Sequence, residues 1–131
     1  MPKSINELVA EVHENAKAHG WWDGEERTFG ELIALCHSEL SEALEEHRNG
    51  FKPTAIYYSG GTEVQDDSDY DGIGSYSIIN QKPEGVPTEL ADCIIRIMDM
   101  CGHYGIDLEA AIIEKHEFNK TRPYKHGGKV I

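Results

Sequence analysis

The stretch ELADCIIRIMDMCGHY, residues 89 to 104, most constrains what this chain can fold into. Apolar side chains cover most of the circumference of the helix that it predicts, which is typical of a helix packed on several sides. Its polar side chains form one stripe at spacings of three and four, namely Glu89, Asp92, Arg96 and Asp99. Such a helix needs other helices around it, so the stretch predicts a helical domain with this segment at its centre.

Three more helices are predicted from capping residues, apolar spacing and helix breakers. With the apolar helix they cover residues 4–20, 28–49, 89–104 and 107–122. The first two starts are capping boxes, Ser4 with Glu7 and Thr28 with Glu31. At about 100–150 residues per domain, the chain predicts a single domain over 1–131. The predicted fold class is therefore all-α, with four helices.

A different kind of segment, residues 51–86, separates the second and third helices. It is rich in Gly, Ser, Asp and Tyr, and the β-prone runs AIYY (55–58) and SYSII (75–79) predict a hairpin between them. A connection of this length is uncommon in a compact domain unless it has a function. We interpret it as an insertion that forms a flap or packs on a second subunit.

The charge of the chain limits its partners. A formal net charge of −12 argues against nucleic acid and against an anionic membrane surface, because both attract basic patches. The cysteines, Cys36, Cys93 and Cys101, lack C-x-x-C spacing and have apolar neighbours, so they predict buried hydrophobic positions in a reducing compartment. The first twenty residues contain no long apolar run. We therefore expect a cytoplasmic protein.

Two pairs of acids carry the strongest chemical signal. Glu39 and Glu42 lie three residues apart beside the apolar stripe of the second helix, and Glu89 and Asp92 repeat this spacing on the third. If the two helices face each other, the four carboxylates converge. Carboxylate oxygens suit Mg²⁺, Mn²⁺ or Ca²⁺, whereas zinc prefers His or Cys. The other interpretation of a single E-x-x-E pair is a solvated helix face.

These motifs resemble a known family. SELSEALEE followed by ELADCIIRIMDMC resembles the E-x-x-E…E-x-x-D signature of the MazG-like, all-α nucleoside triphosphate pyrophosphohydrolases, and KHEFNKTRPYKHGGKVI is similar to their C-terminal ending. The resemblance implies a four-helix module that forms a homodimer or homotetramer. It also implies hydrolysis of the α–β bond of a nucleoside triphosphate to a monophosphate and pyrophosphate. The metal, Mg²⁺ with Mn²⁺ as an alternative, would be held by Glu39, Glu42, Glu89 and Asp92.

The remaining candidate residues concern the proton and the substrate. Glu42 is the first candidate for the general base that takes a proton from the attacking water, and the sequence does not separate it from Glu39. Trp21 and Trp22 could stack on a base, although at least one of them is expected to fill the core or a subunit interface. Arg96 either contacts phosphate or neutralises the acidic stripe. The C-terminal candidates for phosphate contacts are Asn119, Lys120, Arg122 and Lys125.

Two other functions stay open on the sequence alone. One is a non-catalytic helical dimerisation module whose acids bind metal structurally or keep the protein in solution. The other is a pyrophosphohydrolase that acts on a phosphoribosyl-nucleotide. The insertion at 51–86 is longer than the usual connection in the family, so it leaves the preferred base and sugar undetermined.

Overall fold

The computed structural model describes residues 2–66 and 75–124. Within that part of the chain, the elements are α1 (Ile5–Ala18), α2 (Phe29–Arg48), β1 (Tyr57–Ser59), β2 (Thr62–Asp66), β3 (Ser75–Ile79), β4 (Lys82–Glu84), α3 (Val86–Tyr104) and α4 (Leu108–Lys120). The prediction of a mostly helical protein with four helices and a β-hairpin insertion is confirmed. A MazG-like module stays a prediction.

Side-chain caps explain where three of these helices begin. The N–H of Glu7 donates to the Ser4 hydroxyl at 3.1 Å. Thr28 and Glu31 form a reciprocal capping box, with bonds of 3.3 and 3.2 Å between each backbone N–H and the other side chain. Asp107 accepts from the N–H of Ala110 at 3.0 Å before α4. These bonds satisfy N–H groups that the first turn of a helix leaves without a partner.

Helix α3 begins earlier than predicted. Its first residue is Val86, and the carbonyl of Gly85 accepts from the N–H of Glu89 at 3.0 Å. Pro87 therefore lies inside the first turn, where its missing N–H costs no helical hydrogen bond. The sequence prediction that the helix starts after Thr88 was wrong for this reason.

The insertion is one long hairpin in two parts. β1 pairs antiparallel with β4, and β2 pairs antiparallel with β3. The predicted pairing of 55–58 with 75–79 is therefore wrong. Gly60 and Gly61 interrupt the first strand with positive φ angles of 67° and 92°. A Cβ on Gly61 would lie 2.6 Å from the carbonyl oxygen of Ile79, so the chain passes too close there for any other residue.

The chain divides into two compact units, which we call the terminal unit (Met1–Leu32 and Ile95–Ile131) and the middle unit (Ile33–Ile94). In the terminal unit, Val9, Met98 and Cys101 form a buried cluster. In the middle unit, the buried side chains include Cys36, Ala43 and Cys93. All three cysteines are free and buried, as predicted. A single domain over 1–131 stays a prediction.

Large apolar side chains also remain uncovered. In the middle unit these are Leu40 and Leu44 on α2 with Leu90 and Ile94 on α3, all between 44% and 57% exposed. The sequence predicted a helix packed on several sides, and Leu90 and Ile94 show that part of the apolar surface of α3 stays exposed within one chain. No helix in residues 2–66 and 75–124 is long and apolar enough to cross a membrane.

Candidate metal centre

Three of the four predicted acidic ligands come together in the middle unit. Glu39, Glu89 and Asp92 each offer a carboxylate oxygen, and these oxygens all lie within 4.8 Å of one another. We call these three residues the acid cluster. Glu39 comes from the buried side of α2, whereas Glu89 and Asp92 are half-buried and lie almost one turn apart at the start of α3. The spacing of three residues places Glu89 and Asp92 on one face of α3, as the sequence predicted.

The fourth predicted ligand, Glu42, occupies a different position. Its side chain is exposed, and it forms a hydrogen bond with Glu89. Two carboxyl groups can share a hydrogen bond only when one of them carries a proton. Burial, followed by this bond and by the charges of Glu42, Asp92 and Glu39, raises the pKa of Glu89 to about 7. Burial first, and then the neighbouring acids, thus favour the protonated form of Glu89 up to about neutral pH.

The acid cluster suits a divalent cation. Oε2 of Glu89 is buried and has no hydrogen-bond partner among the described residues, a state that costs free energy unless another group compensates it. A cation between the three carboxylates would neutralise their repulsion and satisfy that oxygen. Oxygen ligands favour the hard ions Mg²⁺, Mn²⁺ and Ca²⁺. The residues placed to hold such an ion are therefore Glu39, Glu89 and Asp92.

A tyrosine from the insertion binds another acid of α2. The Tyr57 hydroxyl donates to both carboxylate oxygens of Glu46, at 2.8 and 2.9 Å. The ring of Tyr57 stacks on Phe51, with centroids 4.6 Å apart and planes 15° apart. Sequence reasoning did not find this contact. In the sequence, Tyr57 belongs to the β-prone run AIYY, and this pattern does not indicate a contact with Glu46.

The chain matches no protein-family model, no curated protein and no solved structure. The resemblance to the MazG-like enzymes therefore stays a prediction from the sequence motifs. What the acid cluster can do has to be argued from its own chemistry.

The two predicted base-stacking residues lie in the terminal unit and differ in their surroundings. The indole of Trp22 donates from Nε1 to Oδ1 of Asp99 at 2.9 Å and stacks on His103 with centroids 3.9 Å apart. Trp22 therefore helps to build the packing of that unit, the structural role expected for at least one tryptophan. The guanidinium of Arg27 lies 3.9 Å from the ring centre of Trp21. Base stacking by either ring stays a prediction.

The predicted phosphate contacts are also in the terminal unit. The Arg96 guanidinium lies 5.3 Å from the ring centre of Trp21, a cation–π arrangement that the sequence did not indicate. At the end of α4, Asn119, Lys120 and Arg122 are exposed, and Lys120 pairs with Glu117 at 2.7 Å. Lys125 lies outside the described residues. Their roles toward a substrate stay predictions.

Proposed function

We propose that this protein is a Mg²⁺-dependent nucleoside triphosphate pyrophosphohydrolase that cleaves its substrate to a nucleoside monophosphate and pyrophosphate. The observation that carries the proposal is the meeting of Glu39, Glu89 and Asp92 within 4.8 Å. Their origin in an E-x-x-E and an E-x-x-D pair supports the likeness to the MazG-like enzymes. The proposed enzyme is cytoplasmic, forms a homodimer or homotetramer, and can accept Mn²⁺ in place of Mg²⁺.

The charge of the protein makes a metal necessary for such a substrate. A chain with a net charge of −12 and an acidic site repels a triphosphate, and only a bridging cation reverses that repulsion. When bound, Mg²⁺ would supply Lewis-acid polarisation of the phosphoryl oxygens and lower the pKa of a nearby water. The role of the protein itself is to hold three carboxylate oxygens together. Glu39 is buried, and the two acids of α3 are half-buried.

Glu42 is the stronger candidate for the general base. A base must keep a carboxylate that is not fully committed to metal and must reach water. Glu42 is exposed and bonds to Glu89 from outside the acid cluster, whereas Glu39 is only 6% exposed and belongs to it. This difference in burial supports Glu42, the first candidate from the sequence, over Glu39.

A second candidate function has one observation in its favour. Leu40, Leu44, Leu90 and Ile94 expose apolar surface on the two helices that carry the acids, which suits a helical dimerisation module. In such a module, packing between subunits would cover the acidic side chains. The exposure of Glu42 argues for an accessible site instead, so we favour the enzyme.

The test is pyrophosphate release by the purified protein from each ribo- and deoxyribonucleoside triphosphate, with and without Mg²⁺. We expect metal-dependent release that falls by about a hundredfold or more in Glu42→Gln, as is typical when a general base is removed. Glu45→Gln is the matched control, because Glu45 is an exposed glutamate of the same helix that pairs with Arg48. A phosphoribosyl-nucleotide substrate should be included. Cleavage of that compound alone would move the assignment to the rival pyrophosphohydrolase, and no cleavage at all would favour the module.

A further inference from the structure

The insertion is fastened to α2 by an aromatic side chain. Tyr57 in β1 reaches back eleven residues to Glu46, and its ring packs flat on Phe51, which follows the end of α2. A hydrogen bond to a carboxylate is stronger than one between neutral groups. Two different interactions therefore hold the same ring.

The backbone of the insertion also packs closely just before the start of α3. Gly85 has a φ of 114°, and a Cβ added there would lie 2.3 Å from the carbonyl oxygen of Ala55. The ladder between β1 and β4 pairs Tyr57 with Glu84, the residue just before this glycine. β1 and β4, the strands that follow α2 and precede α3, thus make close contacts on both sides of the insertion. We call residues 55–59 and 82–85 the insertion base.

The backbone places the insertion base beside the acid cluster. The carbonyl of Gly85 accepts from the N–H of Glu89 at 3.0 Å, and Glu46, which accepts from the Tyr57 hydroxyl, lies about one turn after Glu42 on α2. The bond to Glu46, followed by burial and the charges of Glu46, Glu84 and Glu89, raises the pKa of Tyr57 to about 12. The hydroxyl is thus a neutral donor at physiological pH. A substrate held at the cluster would meet the insertion base on this side.

We propose that Tyr57 is a positioning residue that fixes the insertion base as a rigid wall of the substrate site, against which the nucleoside part of the substrate rests. This inference depends on the proposed pyrophosphohydrolase. It differs from the flap suggested by the sequence, because the part of the insertion nearest the acids is fastened and does not need to close. Tyr57 contacts Glu46, not a member of the acid cluster, so its effect should fall on the nucleotide and not on the metal.

The test compares Tyr57→Phe with Tyr104→Phe. Phenylalanine at 57 keeps the stack on Phe51 and loses only the bond to Glu46. Tyr104 lies in α3, outside the insertion, and at 42% exposed it serves as the control for the loss of a tyrosine hydroxyl. We expect Tyr57→Phe to raise KM for the Mg²⁺–nucleotide about three- to tenfold, the effect of losing one typical hydrogen bond. kcat and the affinity for Mn²⁺, measured by electron paramagnetic resonance, should stay as in the wild type.

Hydrogen exchange provides a readout that needs no activity. The amides of β1 and β4 should exchange faster in Tyr57→Phe and in Glu46→Leu, and should stay protected in Tyr104→Phe. Glu46→Gln keeps an acceptor for the Tyr57 hydroxyl and should restore most of the protection and the KM. This rescue separates the hydrogen bond from a general loss of structure.

The outcomes distinguish the two proposals. If the wild type releases pyrophosphate and KM is unchanged in Tyr57→Phe, the inference fails and the proposed function stands. Unchanged exchange in β1 and β4 would also overturn the inference, because the bond would then not fix the insertion base. If the wild type neither binds nor cleaves any nucleotide, the proposed function is wrong. The inference about Tyr57 then fails as well, because it depends on that function.

Discussion

Nδ1 of His13 lies 2.8 Å from Oδ1 of Asp99, the same carboxylate oxygen that accepts from the indole of Trp22. These two contacts connect α1, α3 and the segment between α1 and α2 inside the terminal unit. Asp99 is only 7% exposed, so the contacts are shielded from water. A carboxylate only accepts hydrogen bonds, which assigns the donor role at this contact to His13. The acid stripe of α3 therefore divides into Glu89 and Asp92 in the acid cluster and Asp99 in a structural network.

Removing the Asp99 carboxylate should destabilise the protein strongly. Asp99→Leu leaves two partly buried N–H groups without an acceptor, and we expect a loss of about 2–5 kcal/mol in the free energy of unfolding. Asp99→Asn keeps an acceptor oxygen and should cost about 1 kcal/mol. Asp23→Leu, at an exposed position, is the control and should stay within about 0.5 kcal/mol of the wild type. Urea unfolding followed by tryptophan fluorescence measures all three, and equal losses for Leu and Asn would contradict the role given to the oxygen.

A second prediction concerns the close packing of α1 against α3. A Cβ on Gly102 would lie 2.5 Å from Cβ of His13, so Gly102→Ala must push the two helices apart. We expect a destabilisation of about 1–3 kcal/mol despite the higher helix propensity of alanine. Gly30 is a matched glycine in the first turn of α2, where the nearest atom to an added Cβ is 4.0 Å away. Gly30→Ala should stabilise the protein by up to about 1 kcal/mol in the same unfolding experiment. A neutral Gly102→Ala would show that the helices can separate freely.

The sequence predicts those features that depend on spacing within one helix. The i, i+3 pairs of Glu39 with Glu42 and of Glu89 with Asp92 identify the acids that approach one another, because a helix fixes which side chains share a face. The reciprocal capping of Thr28 and Glu31 follows from the same regularity. Local geometry is enough for these features.

The features that the sequence missed depend on contacts between distant segments. Trp22 and Asp99 are 77 residues apart, and no local pattern indicates that the indole becomes a hydrogen-bond donor to that acid. In the insertion, the strand pairing depends on backbone turns at Gly60 and Gly61 opposite Asn80, which also has a positive φ of 59°. The β-prone runs alone favoured a different pairing. Strand propensity consequently could not predict the hydrogen bond between Tyr57 and Glu46.

The raised pKa of Glu89 predicts how the stability of the metal-free protein changes with pH. In the unfolded chain Glu89 loses its proton near its ordinary pKa of about 4.5, whereas in the folded protein it keeps it up to about 7. The folded state therefore binds more protons between these two values, and its stability must fall as pH rises through this window. The contribution of Glu89 is fully present below about 4.5 and lost above about 7.

The measurement is thermal unfolding of the protein in chelator, at intervals between pH 4 and pH 8.5. Other carboxylates also respond to pH, so the informative quantity is the difference between the wild type and Glu89→Gln. We expect this difference to move in favour of the variant as pH rises through the window, because glutamine stays neutral. A difference that does not change with pH would mean that Glu89 ionises normally in the folded protein.

Metal binding should reverse the effect of removing an acid from the cluster. Without metal, Glu39→Gln removes a charge that repels Glu89 and Asp92, so this variant should be as stable as the wild type or more stable. With Mg²⁺ or Mn²⁺ at a hundred times its dissociation constant, the wild type should gain about 2.7 kcal/mol, because a ligand that binds only the folded state stabilises it by mass action. Glu39→Gln should lose most of that gain, whereas Glu45→Gln should keep it. Thermal unfolding of the three proteins across a metal titration provides the comparison. If all three gain equally, the cation binds elsewhere, and the acid cluster is not the metal centre.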